Sequence, residues 1–427
     1  MVVSAPSGHT TLEEMSLQAA NQARLSTMDL IFLVMDHPQR PLDFVVVLHF
    51  KKSPGLEALQ TGARSARNLY PTTGSYIDKK QWLRFNLPRD EVTLVEASSD
   101  PAVAIEDFLE SPFDPRREVP VQQLLIENRS DLSAQLVTRF HHTVADGLSA
   151  ALWLEHQLGV SCGQESPVAE VSPLRELELL RHPSPVRRSR FAYRGPSECL
   201  CSSGAGSLRK RHWFTVAIPT ADLRERSGTR SGFTYNDLLA TCALEVFRQW
   251  NRAHGKGHKV GLWVPVNIRK KRSSGFGNGT SRLRIYARYA QESSLLDKAR
   301  QIHRQIFWSS RHGEWAVPRS PPLMRLPLQV MGPLLRGYLN RPWVDMATGT
   351  FSHVDRGQDR GQIDHVEKIE CIGLMGEQHG VAINGATYRD QTWFTFTYDP
   401  GLLSAADIQR LVGMYEEQIA LARKELR

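Results

Sequence analysis

Cysteine is scarce in this chain, and what there is does not cluster. Cys162, Cys199, Cys201, Cys242 and Cys371 are an odd, scattered set, which excludes a disulfide framework. Cys199-x-Cys201 is too tight for a Cys-x-x-Cys redox pair. No Cys/His array has zinc spacing, and His303, His365 and His379 stand alone, so no metal and no bound cofactor is expected. A reducing, cytoplasmic setting fits this usage. Long apolar runs are missing too. The longest, Leu30 to Met35, is far short of the roughly 20 residues that cross a bilayer. The residues up to Thr11 carry no Lys or Arg and no long apolar core, so no secretory signal is expected. Acidic residues are absent from 266–284 and almost absent from 181–211. The basic clusters there have no interleaved aromatics, which argues against nucleic acid as a partner.

What is present is ordinary for a globular protein. The 427 residues are 41% hydrophobic and 23% charged, enough for two compact units. The net charge of +8 is concentrated in one place. Arg181, Arg187, Arg188, Arg190, Arg194, Arg209, Lys210 and Arg211 face only Glu198, among several Pro, Gly and Ser residues. That composition reads as a linker. The expected division is an N-terminal lobe over 1–165, a basic linker over 166–211 and a C-terminal lobe over 212–427. The plain reading of the linker is a solvated connector. Sharper readings are docking of an acidic carrier protein, or peripheral contact with anionic lipid heads at a membrane.

Hydrophobic periodicity places strands at 44–50, 122–127, 134–140, 213–218, 259–266 and 283–289, with a hairpin over 379–386 and 392–398. It places helices near 12–23, 55–68, 148–158, 235–252 and 294–309. A last helix begins at Ser404, with Asp407 three residues on as a capping signal and an apolar stripe of Ile408, Leu411, Met414, Tyr415 and Ile419. Mixed strands and helices in both halves predict an α/β protein.

The stretch that carries chemistry is His141-His142-Thr143-Val144-Ala145-Asp146-Gly147. It follows the strand ending at Phe140. Side chains alternate along a strand, so the two histidines point to opposite faces and at most one serves a given cavity. A neutral imidazole is abundant near pH 7 and can take the proton of an attacking hydroxyl or amine. Asp146 can accept a hydrogen bond or pair with an arginine. Gly147 leaves out a side chain and so leaves room for a substrate arm. The bland alternative is a strand-end histidine beside an Asp-Gly turn.

His-His-x-x-x-Asp-Gly resembles the signature of the chloramphenicol acetyltransferase-like superfamily, which holds condensation domains, plant acyltransferases and bacterial wax ester synthase/diacylglycerol acyltransferases. Leu25-Ser26-Thr27-Met28-Asp29-Leu30-Ile31-Phe32-Leu33 is similar to the opening of the wax ester synthase branch. Tyr235-Asn236-Asp237-Leu238-Leu239-Ala240 resembles its Asn-Asp helix start. Val264-Pro265-Val266-Asn267-Ile268-Arg269 with Gly277-Asn278 resembles its paired Pro-Val-x-x-Arg and Gly-Asn elements. The chain departs at Phe351-Ser352-His353-Val354-Asp355-Arg356-Gly357, where that branch often carries Ser-Asn-Val-Pro-Gly-Pro. The resemblance covers residue 20 to the end. It implies two sandwich lobes forming a V around a central tunnel.

It also implies roles. His142 is the general base, His141 supports it, and Gly147 belongs to the motif. Asp146 forms a structural salt bridge to Arg269. Ser352, His353 and Asn278 become oxyanion or tunnel candidates. Lys270, Lys271 and Arg272, in a basic stretch that continues to Arg282 and Arg284, are candidates for the phosphate of coenzyme A or a phosphopantetheine arm. The implied donor is an acyl thioester on coenzyme A or an acyl carrier protein, and the acceptor an alcohol or amine. The leading expectation is ester or amide formation in natural-product biosynthesis. Its rivals are wax ester or diacylglycerol synthesis from fatty acyl-coenzyme A, and a binding scaffold without chemistry. A serine hydrolase using Ser161 in Gly159-Val160-Ser161-Cys162-Gly163 is a further rival, although that elbow requires a strand before the serine and a helix after it.

Overall fold

The computed structural model describes residues 25–36, 42–79, 81–84, 92–96, 101–163 and 197–427. Positions 112, 129, 205, 207, 209, 229–230, 258, 270–274, 291, 313–325, 340–346, 356–365 and 375–379 are excepted. The helix expected at 12–23, Lys270, Lys271, Arg272, His365, His379 and the linker before residue 197 lie outside the described residues.

The first half runs α1 (Thr27–Met35), β1 (Asp43–Phe50), α2 (Leu56–Leu69), β2 (Ser75–Asp78), β3 (Gln81–Arg84) and β4 (Thr93–Glu96). It continues through α3 (Pro101–Glu110), β5 (Val121–Glu127), β6 (Ala134–His141) and α4 (Gly147–Ser161). The second half begins with β7 (His212–Pro219), α5 (Ala221–Arg226), α6 (Tyr235–Ala253), β8 (Gly261–Asn267), β9 (Thr280–Tyr286), α7 (Leu295–Arg311) and α8 (Leu328–Leu339). It ends with β10 (Gly349–Asp355), β11 (Val366–Ile372), β12 (Val381–Tyr388), β13 (Gln391–Tyr398) and α9 (Ala405–Leu426).

Helix starts follow local chemistry. Ser26, Thr234 and Ser404 each accept from the backbone three residues on, and Asp29, Asp237 and Asp407 reach back to close capping boxes. Each such cap is worth about 1 kcal/mol. The Asp-Gly pair expected as a turn is a helix start: Asp146 caps α4 and Gly147 is its first residue. The strand expected at 283–289 pairs three residues earlier, over 280–286, in register with β8.

Two large sheets result, ordered β11-β1-β6-β5-β4 and β7-β13-β12-β10-β8-β9. Helices α2 and α4 cover one face of the first, and Ala63, Ala66, Trp153 and Leu158 pack there with Leu136 and Phe140. Its other face buries Val45, Val47 and Val137 with Ile105 and Leu109 of α3. β6 is therefore buried on both faces. Helices α6, α7 and α9 cover the second sheet, with Phe247, Trp250, Phe394, Phe396 and Tyr415 fully buried. Four residues of the expected stripe, Ile408, Leu411, Tyr415 and Ile419, lie in that core, and Met414 packs at its edge.

Beyond the expected boundary at 211/212 the chain crosses back to the first half. β11, from the second half, pairs antiparallel with β1 and completes the first sheet. It also touches the second sheet: Cys371 N–H donates to Thr395 Oγ1 (3.1 Å) and Gly373 N–H to Thr397 Oγ1 (3.1 Å). α8 packs on α1, where Arg336 donates to the Val34 carbonyl (3.1 Å). Part of the basic linker is equally structural. Arg211 pairs with buried Asp43 of β1 at 2.7 Å, and Lys210 with Glu110 of α3 at 2.7 Å.

Candidate active site

The site begins where β6 ends. The His142 N–H donates to the Leu42 carbonyl (2.8 Å), and its carbonyl accepts from Asn278 Nδ2 (2.6 Å). Its main chain is thus pinned on both sides. The imidazole is half-buried, stacked on Phe32 at 4.5 Å and 15°, with Phe44 tilted against it at 4.8 Å. Nδ1 is buried without a partner. Burial pushes the pKa down to about 4, against the opposing pull of the Asp146 carboxylate. The ring is therefore neutral at physiological pH and able to accept a proton.

His141 faces the other way, as strand alternation requires. It is fully buried, edge-on to Phe113 at 5.6 Å. Its Nδ1 accepts from the Thr143 N–H (3.2 Å) and contacts the Thr143 hydroxyl (2.9 Å). This leaves the hydrogen on Nε2, which lies 3.4 Å from Asp36 Oδ1 but is not aligned for a hydrogen bond.

Asp146 and Arg269 meet across the two halves in a bidentate pair, both contacts 2.8 Å and both side chains 2% exposed. Asp146 also accepts from Ser149 N–H (3.0 Å), Gly279 N–H (2.9 Å) and the Thr280 hydroxyl (2.6 Å). Arg269 donates further to Gly275 O, Gly277 O and Ser149 Oγ. Burial alone would raise the Asp146 carboxyl. Arg269, with help from Thr280 and Ser149, overrides this and holds it below the usual carboxylate range. Gly279 has to be glycine, because a Cβ there would lie 2.5 Å from the Arg269 side chain.

A Cβ on Gly147 would sit 3.4 Å from Val354 of β10, an ordinary van der Waals distance, so this position faces the second half of the chain without requiring a glycine for packing. Asn278 is not an oxyanion donor: its two Nδ2 hydrogens go to the His142 carbonyl and to Asp29 Oδ1 (2.8 Å). Ser352 and His353 do not act together, because they occupy opposite faces of β10. His353 turns into the helix layer, edge-on to Tyr235 at 5.3 Å and bonded to Thr387 Oγ1 at 2.7 Å. Burial pushes its pKa down to about 4. Ser352 shares the opposite face of β10 with Val354, which meets Gly147.

The sequence reading missed two contributors. Asp29 and Phe32 stand one turn apart on α1 and both reach the His142 site, one through Asn278 and one by stacking. Their spacing in the Leu-Ser-x-x-Asp-x-x-Phe-Leu opening was the available signal. Ser161 is the last residue of α4 and donates to the Gln157 carbonyl (2.8 Å) and the Ala58 carbonyl (3.0 Å). It is a helix end, not a strand-turn-helix elbow. His303 pairs with Asp237 at 2.7 Å. Among the described residues no group of three or more His, Cys, Asp or Glu is placed to hold a metal ion. Nor is any helix there long and apolar enough to cross a membrane.

No protein-family model matches the chain, and no curated protein matches it. Solved structures do. The starter condensation domain of rhizomide synthetase RzmA, a variant in complex with C8-CoA and Leu-SNAC, aligns at a TM-score of 0.68 and 15% identity, covering 96% of each chain. The first condensation domain of the CDA synthetase aligns at 0.68 and 14% identity, over 94% of this chain and 97% of that one. The EpoB NRPS cyclization-docking bidomain from Sorangium cellulosum aligns at 0.70 and 11% identity, over 96% and 86%. At such identities what is shared is architecture: this chain has the two-lobed α/β fold seen in the condensation domains.

Proposed function

We propose that the protein is an acyltransferase that moves an acyl group from a pantetheine thioester to an alcohol or amine. His142 acts as the general base. One observation carries the reading. A neutral, half-buried imidazole is fixed by main chain and ring stacking beside the Asp146–Arg269 clasp that joins the two halves. A structural histidine needs no partly open ring at such a seam. In the reaction the nucleophile's oxygen or nitrogen bonds to the thioester carbonyl carbon while its proton passes to the His142 ring. The tetrahedral adduct then collapses, the carbon–sulfur bond breaks, and the proton leaves with the pantetheine thiol. No acyl-enzyme forms and no metal takes part.

The complex of the rhizomide starter domain with C8-CoA supports a coenzyme A or carrier thioester as donor, in natural-product assembly. A second reading, wax ester or diacylglycerol synthesis from fatty acyl-coenzyme A at a membrane surface, draws on the α1 opening, since Asp29 and Phe32 of that motif build the wall behind His142.

Mass spectrometry of the purified protein with a panel of acyl thioesters and nucleophiles tests both. We expect a condensed product that disappears in His142→Ala. Fatty alcohols or diacylglycerol as the best acceptors, with flotation on liposomes, select the second reading. A stable acyl adduct on the protein overturns direct transfer.

A further inference from the structure

One atom of Asn278 is left over beside the imidazole. Both of its Nδ2 hydrogens are committed, one to the His142 carbonyl (2.6 Å) and one to Asp29 Oδ1 (2.8 Å). Turning the amide over would set oxygen against both acceptors, so they fix where Oδ1 points. That oxygen is buried without a donor, on a residue 3% exposed. An amide oxygen removed from water and left so is costly.

The His142 ring holds the complementary atom. Nδ1 is also sealed from solvent and without a partner. The two side chains act on each other. Burial lowers the His142 pKa, while the Asp146 carboxylate and the Asn278 amide pull it back up. An amide does that only through its oxygen, because an N–H group donating to the ring would favour the neutral form. With both Nδ2 hydrogens spent elsewhere, the group that faces the imidazole is Oδ1.

An incoming nucleophile cannot reach the sealed Nδ1, so its proton must pass to Nε2. Nε2 accepts only when the ring's own hydrogen sits on Nδ1. A buried Nδ1–H in turn requires an acceptor.

We propose that Asn278 is a positioning residue whose Oδ1 accepts the Nδ1–H of His142 and thereby makes Nε2 the base. The hydrogen bond strengthens as the ring gains its charge, so it favours the reacting state over the resting one. Asp29 holds the amide with its oxygen toward the ring. The consequence for turnover rests on the acyl-transfer reading above. The position of the hydrogen does not.

The test is heteronuclear NMR of the full chain with isotope-labelled histidine rings, which reads the tautomer directly. The His142 signals are those missing from His142→Ala. At pH 7 the wild-type ring should carry its hydrogen on Nδ1 and none on Nε2. A hydrogen on Nε2 overturns the proposal, and this measurement needs no variant at 278 to fold. In Asn278→Ala the hydrogen should move at least partly to Nε2. There kcat for an N-acetylcysteamine thioester should fall roughly 10- to 100-fold with KM retained, the worth of a hydrogen bond to a charged group. An unchanged tautomer in Asn278→Ala overturns the proposal, and so does a loss confined to KM. If no thioester is turned over but the Nδ1–H still depends on Asn278, the acyl-transfer reading fails and the hydrogen bond stands.

Discussion

His141 and His142 are adjacent, chemically identical side chains that share almost no contacts. His141 is sealed, its Nδ1 occupied by Thr143 and its ring set against Phe113. His142 is held only through its main chain and ring faces, with Nδ1 left without a partner. The difference arises from one step along a strand, which sends one ring toward α3 and the other toward α1. A fully buried histidine with Nδ1 bonded to its own turn holds a fold together. One that is desolvated, oriented and unsatisfied is available for proton transfer.

The comparison breaks most visibly at His142. His142→Ala should lower kcat/KM by roughly 10²- to 10⁴-fold, the usual share of a positioned general base, with little change in thermal unfolding. Asp146→Ala should follow, costing about 3–5 kcal/mol of stability in denaturant unfolding, because Arg269 is left buried without its partner. His141→Ala should show the opposite signature to His142→Ala: a loss of about 1–3 kcal/mol in stability, with the rate per folded molecule retained. Equal rate losses at 141 and 142 would erase the distinction. Phe32→Leu removes the stacked ring and should reduce kcat/KM by about tenfold at most, since aromatic pairs contribute about 0.5–1.5 kcal/mol.

The pH dependence sharpens the same contrast. With the His142 pKa lowered to about 4, the acid limb of kcat/KM should fall near pH 4 rather than 6.5. An acid limb at 6.5 would mean a solvated ring. His142 and His353 are both depressed on folding, so the unfolded chain binds more protons between about pH 4 and 6.5. These two groups therefore leave stability intact above pH 6.5 and remove it as pH falls through that window. Urea midpoints measured across pH 4–8 check the sign.

The second half of the chain was legible where local chemistry dominates. The hairpin over 381–388 and 391–398, the α6 and α9 capping boxes and the α9 stripe all follow from short-range pattern. The shared face of Asp29 and Phe32 was also within reach, through helical spacing. Other features had no local signal. That β11 joins the first sheet depends on a pairing over 300 residues apart in sequence, Val45 with Ile372. That Arg211 is an internal partner of Asp43 cannot be seen in a run of basic residues.

Sequence alone set the strand-end position of the two histidines and their opposite facing, because periodicity acts on neighbouring residues; the pairing of Asp146 with Arg269, 123 residues on, was implied only by the resemblance. Tertiary packing decided which histidine keeps a partly open ring, that Asn278 supports His142 instead of an oxyanion, and that His353 points away. Those outcomes depend on which distant side chains remove water from each group, and desolvation is a property of the assembled surroundings rather than of the residue itself.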